Sequence, residues 1–186
     1  MRTIFFALPL LLLSAGFVLI TENFDNLTNI NNAVLPDMSV TTGLSLVADT
    51  QGGQRGELAE NGEAFFSESL PASLNFELEL DEGGRCSLRP GQRLGPKTYK
   101  IAIFDTSSNP TGSPTPIQLT AGTRYEILLT FSLDASGQPQ DDLYWRPVGG
   151  STWSHRDIDV PLNQRSGLWL VQETNKSWMD NIELCP

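Results

Sequence analysis

The stretch SLNFELEL, residues 73–80, alternates strictly: Leu74, Phe76, Leu78 and Leu80 share one side, and Asn75, Glu77 and Glu79 the other. Successive side chains of an extended chain point to opposite faces, so this is a strand with one buried and one open face. RYEILLTFSL repeats the pattern, with Tyr125, Ile127, Leu129, Phe131 and Leu133 together and Glu126, Thr130 and Ser132 opposite. TYKIAIF places Tyr99, Ile101 and Ile103 on one face. DASGQPQDD turns the chain, and LYWRPV is expected to return as a hairpin partner. GLSLV, AFFSES, GLWLVQ and WMDNIEL add strands, and FVLITEN adds one at the start.

About ten such strands, each with a face to hide, need a second layer to cover them. The expected fold is all-β, a jelly-roll β-sandwich of two antiparallel sheets. No amphipathic helix separates the strands, which argues against a doubly wound α/β fold. The polar, Gly-rich stretches 49–62 and 81–96 read as loops, as do 106–116 and 136–141.

Residues 1–16 read as a secretory signal. Arg2 is the charged start, residues 4–13 the apolar segment, and Ser14-Ala15-Gly16 the small residues before cleavage. Residues 17–186 then form a single domain, secreted or held at the cell surface, with no membrane insertion after cleavage. An uncleaved anchor over residues 3–20 is the alternative. The net charge of −10 opposes binding to nucleic acid or anionic lipid, both of which need a positive field. Export would permit a disulfide, and Cys86 and Cys185 have only each other as partners.

ENFDN near the start, LTAGTRYEILLTFSLDASG in the middle and SWMDNIEL at the end resemble bacterial extracellular jelly-roll domains. These include concanavalin A-like and laminin G-like lectin domains and carbohydrate-binding modules of the galactose-binding type. The resemblance implies a glycan or extracellular polysaccharide as partner. In several such domains acids on the first and last strands help hold a structural calcium, which here points to Glu22, Asp25 and Asp180. Their other reading is as turn and cap residues.

Three further constellations bear on chemistry. YWRPVGGSTWSHR gathers Trp145, Arg146, Trp153, His155 and Arg156 around a Gly-Gly turn. An aromatic ring offers large rigid area for the apolar face of a pyranose, and the arginines suit an acidic glycan. Core packing is the competing role for the tryptophans. In FELELDE the acids Glu77, Glu79 and Asp81 alternate, as do the catalytic acids of family 16 glycoside hydrolases, but E-x-E-x-D is not that family's order. Retaining chemistry needs two carboxyls about 5–5.5 Å apart, and positions i and i+4 of a strand stand farther apart than that. The wet face of a strand explains the alternation equally.

QRGELAE, with Arg55 and Glu57, is similar to the R-[ST]-E-L strand of alginate-lyase-type polysaccharide lyases, where an arginine neutralises the substrate carboxylate. The partner Gln-x-His motif is absent and His155 is the single histidine. Gly52, Gly53 and Gly56 also suit a simple turn. The expected function is therefore a non-catalytic, lectin-like glycan-binding or cell-surface interaction module. A small polysaccharide-active enzyme using Glu77, Glu79, Arg55 or His155, and a structural envelope or matrix protein, are the alternatives.

Overall fold

The computed structural model of the protein describes residues 20–25, 27, 41–91, 99–106 and 116–185. The expected signal segment, residues 1–16, lies outside them. The chain is all-β. In order it forms β1 (Ile20–Glu22), β2 (Thr42–Ala48), β3 (Gln54–Ser67), β4 (Ser73–Leu80), β5 (Arg85–Pro90) and β6 (Ile101–Asp105). There follow β7 (Ile117–Leu119), β8 (Tyr125–Leu133), β9 (Pro139–Pro147), β10 (Ser154–Asp157), β11 (Leu168–Thr174) and β12 (Ser177–Cys185).

The strands hydrogen-bond in the order β10-β9-β8-β4-β12-β3-β11-β5-β6-β7, with β1 on β12 and β2 on β3. Hydrogen bonding is thus continuous, and the sandwich arises because this one sheet curls over itself. All pairs are antiparallel except β6 with β7. The corner is β3. Its first half pairs with β12 and β2 through Gly56–Leu58, and its second half pairs with β11 through Glu63–Ser67. A strand that passes between layers must bend, and the bend falls at Asn61, with φ of 61°, and Gly62. A Cβ on Gly62 would stand 2.8 Å from the Ala59 carbonyl oxygen and 2.9 Å from that of Thr42, so only glycine fits.

Between the layers lie Leu58, Ala64, Phe66, Leu74, Phe76, Leu78, Leu80, Leu88 and Ile103, all buried in one cluster. The rings of Phe66 and Phe76 meet at 5.6 Å. In β4 the alternation is complete, with Leu74, Phe76, Leu78 and Leu80 at zero exposure. The expected loop 81–96 contains β5 instead. Cys86, Ser87 and Leu88 are buried in succession, so both faces of this strand are covered and no alternation marked it. The stretch 49–62 likewise becomes strand from Gln54, with Phe24 and Leu44 packed directly on Gly56.

The first and last strands pair. Ile20, Thr21 and Glu22 pair with Leu184, Glu183 and Ile182. The register of β12 on β4 shifts between Asp180 and Glu183, with Asn181 at φ of 47°. This bulge turns both Met179 and Ile182 inward although they differ in parity. The expected Cys86–Cys185 bridge is corrected: both cysteines are free. Along the hydrogen-bonded path β3 and β11 lie between their strands, whereas a bridge needs Cα atoms within about 7 Å. Burial also pushes the Cys86 thiol well above its ordinary pKa, which keeps it protonated.

Candidate functional site

The face of β4 turned away from the core carries Asn75, Glu77 and Glu79, and strand register extends it sideways into rows. Asp180 of β12, Glu77 of β4, Glu126 of β8 and Arg146 of β9 are successive cross-strand partners. A second row runs Asn75, Leu128, Tyr144 and His155, reaching β10. A third runs Glu57, Trp178 and Glu79. Opposed side chains on one face stand roughly 5 Å apart at Cβ, so these rows form one polar surface across six strands.

Its centre is a charge network. Arg124, just before β8, donates to both carboxylate oxygens of Asp49 at 2.6 and 2.7 Å and to Glu77 at 3.3 Å, and stands 4.0 Å from Asp180. Arg55 of β3 donates to Glu79 at 2.7 Å and lies 4.5 Å above the Trp178 ring. Lys176 caps the same ring at 5.1 Å, and the Trp178 indole N–H donates to Glu57 at 2.9 Å. Burial alone would raise the Asp49 pKa, but the two Arg124 bonds and the Gln51 N–H carry it below the usual carboxylate range. Asp180 goes the other way. Burial first, and the Glu77 and Asp25 charges besides, push it up to about 6, against the Asn181 N–H and Arg124.

The edge of this face is the β9–β10 hairpin, and it is built differently. Tyr144 and His155 stack at 4.6 Å, and Trp153 meets Tyr144 edge-on at 6.5 Å. Arg146 lies 4.2 Å from the Trp153 ring and donates to Glu126 at 2.7 Å. The hairpin is anchored from beneath by Asp141, whose buried carboxylate accepts from Ser132 N–H, Val160 N–H and Arg165. Burial, with the Asp142 and Asp157 charges, raises the Tyr144 pKa.

The residues expected to bind glycan are divided by this geometry. Arg146, Trp153 and His155 share the open face. Trp145 and Arg156 have the opposite parity: Trp145 packs against the core, and Arg156 donates to the Pro116 carbonyl. Arg156 helps line a cavity of about 410 Å³ with Tyr99, Lys100, Ile101 and Asp157. Strand periodicity of two explains the split.

The three acids of the expected calcium site also make contacts within the fold. Glu22 accepts the Phe24 N–H at 2.8 Å, Asp25 accepts the Gln54 N–H at 3.0 Å, and Asp180 faces Arg124. Among the described residues, the group that brings three metal-ligating atoms within 4.8 Å of one another is Asp142, His155 and Asp157. Arg124, Tyr144 and Asp142 were not singled out from sequence. Their parity with Glu126 and Arg146 was the available signal.

No family model matches the chain, and no curated protein matches it. Among solved structures it is similar to a marine PL-14 alginate lyase from Aplysia kurodai. The TM-score is 0.50 at 8% identity, covering 77% of this chain and 87% of that one. It is also similar to the alginate lyase Aly36B, with a TM-score of 0.48 at 13% identity over 89% of this chain and 96% of that one. A double mutant of Aly36B in complex with alginate tetrasaccharide gives 0.45 at 13% identity, with the same coverages. These likenesses are of fold.

Proposed function

We propose that the protein is polysaccharide-active and cleaves an acidic glycan laid along the open face of its sheet. The observation that carries the reading is the convergence on that one face of cations, an imidazole and a phenol. Arg55, Arg124 and Arg146 stand with His155, Tyr144 and the ring of Trp153 on neighbouring strands. Eliminative cleavage of a uronate chain needs a cation to neutralise the sugar carboxylate and a base to take the proton beside it. The fold is shared with a protein described as an alginate lyase, which supports a polysaccharide as the substrate class. Arg55 Nε makes no hydrogen bond, so one donor at the centre of the face is uncommitted.

A second reading, the non-catalytic glycan-binding module, is favoured by a different observation. Arg55 and Arg124 are already held by Glu79, Asp49 and Glu77, and an acidic glycan would have to displace those partners. The hairpin platform would then be the whole site.

One assay separates the readings. The protein is incubated with alginate, other polyuronates and a neutral glucan. Unsaturated uronate is followed by ultraviolet absorbance, reducing ends by titration, and binding by gel retardation. Unsaturated product supports elimination. Reducing ends without it indicate hydrolysis. Retardation alone selects the binding module, and none of the three removes a polysaccharide role. Trp153→Ala should weaken retardation about tenfold, equivalent to about 1.4 kcal/mol of lost ring contact.

A further inference from the structure

The geometry points to a divalent transition-metal site at the hairpin edge, with Asp142 Oδ1, His155 Nε2 and Asp157 Oδ1 as its protein ligands. Three observations converge on it.

The first is distance. His155 Nε2 stands 2.7 Å from Asp142 Oδ1 and 3.4 Å from Asp157 Oδ1. All three atoms lie within 4.8 Å of one another. Ligands bound at about 2.0–2.2 Å in a tetrahedral zinc sphere stand roughly 3.3–3.6 Å from each other. Side-chain rotations of up to about an ångström bring the set onto one face of such a coordination sphere.

The second is the hydrogen-bond arithmetic of the imidazole. Two carboxylate oxygens converge on one ring nitrogen, which carries at most one hydrogen. That hydrogen serves Asp142, and Asp157 is left at 3.4 Å with no hydrogen bond to it. A metal ion replacing the proton satisfies all three atoms at once. The ring is already oriented for this, stacked on Tyr144 with an interplanar angle of 26°.

The third is charge. Elsewhere on the open face carboxylates have a basic partner: Asp49, Glu77 and Asp180 face Arg124, Glu79 has Arg55, Glu126 has Arg146 and Glu57 has Lys176. Among the described residues no lysine or arginine pairs with Asp142 or Asp157. Beside them opens a cavity of about 430 Å³ whose lining adds Asp141 and Asp159 and holds no basic side chain. The hairpin therefore keeps two carboxylates around an imidazole with no ion-paired lysine or arginine among the described residues, although Asp157 also lines the cavity that holds Lys100 and Arg156.

The donor chemistry selects the ion class. Imidazole nitrogen with carboxylate oxygen suits zinc, manganese or nickel, whereas calcium takes six to eight oxygens. The ligands come from paired strands, Asp142 opposite Asp157 and Tyr144 opposite His155, so the backbone ladder holds them in place without metal. Three protein ligands leave coordination positions open toward the face proposed to hold the glycan.

The test is calorimetric titration of the untagged, EDTA-stripped full chain with zinc, manganese and calcium chlorides in turn, with no glycan present. Metal binding is thereby read separately from polysaccharide activity. The expected result is one zinc ion per chain, weakened at least about tenfold in both His155→Ala and Asp157→Asn. Circular dichroism of both variants should be unchanged, since the two side chains are exposed. Glu183→Gln, an exposed acid on another strand, should leave zinc binding intact. Absence of zinc and manganese binding overturns the proposal. So does zinc binding unchanged in the two ligand variants. Calcium binding that is tighter than zinc and indifferent to His155→Ala overturns it as well.

Discussion

The centre and the edge of the open face use similar side chains to opposite ends. At the centre Arg124 and Arg55 are nearly buried, and the carboxylates of Asp49, Glu77 and Glu79 close around them. At the β9–β10 edge Asp142, His155 and Asp157 are more exposed and share no basic partner among the described residues. A buried charge is tolerated only when paired and hydrogen-bonded, so the central groups hold strands together. An exposed charge carries no such demand and stays available to a ligand. The difference gives the middle of the face a structural load and leaves the charged groups of its rim open to solvent.

The strongest way to break this contrast is Arg124→Ala. It strands Asp49, Glu77 and Asp180 without their shared cation. Removing one partner of a buried ionic set costs about 3–5 kcal/mol. Urea unfolding at neutral pH should register that loss, and a change below about 1 kcal/mol would mean that the centre is no more structural than the edge.

Asp180 sharpens it next. Its folded-state pKa, about 6, lies above the ordinary aspartate value. Between those values the folded chain holds a proton that the unfolded chain has released, so the contribution of Asp180 to stability is lost as pH rises through 6. Asp180→Asn should therefore stabilise the fold by about 1 kcal/mol at pH 4.5, growing to about 3 kcal/mol at pH 8. A gain independent of pH, in paired urea titrations, would remove burial as the cause of the shift.

The smallest effect concerns the cysteines. With both free, a reducing agent should leave the unfolding midpoint where it is, and Cys185→Ser should cost less than about 0.5 kcal/mol. A loss of several kcal/mol on reduction would restore the bridge between the chain end and β5.

Much of the fold was legible because it is written in local periodicity. Leu74 to Leu80 and Ile127 to Phe131 alternate since one layer covers one face, and they are buried as that pattern requires. Met179 and Ile182 differ in parity yet are both buried, which the bulge at Asn181 reconciles. β5 stayed hidden because both its faces are covered, and the start of β3 because Gly56 is there to admit Phe24 and Leu44. The residues expected to bind glycan fall on both faces of their strands. His155 and Trp153 lie on the open face, but YWRP alternates like any strand, so Trp145 goes inward and Tyr144 takes the outward place beside Arg146.

The sequence by itself determined the class of structure and the identity of the buried stripe on β4 and β8, because each follows from residues a few positions apart. Only the tertiary structure decided which acid faces which base. Arg124 meets an aspartate 75 positions away, and His155 meets one 13 positions away. Those partners are chosen by strand order and register, and register is the outcome of every hydrophobic stripe in the sheet reaching the core at once.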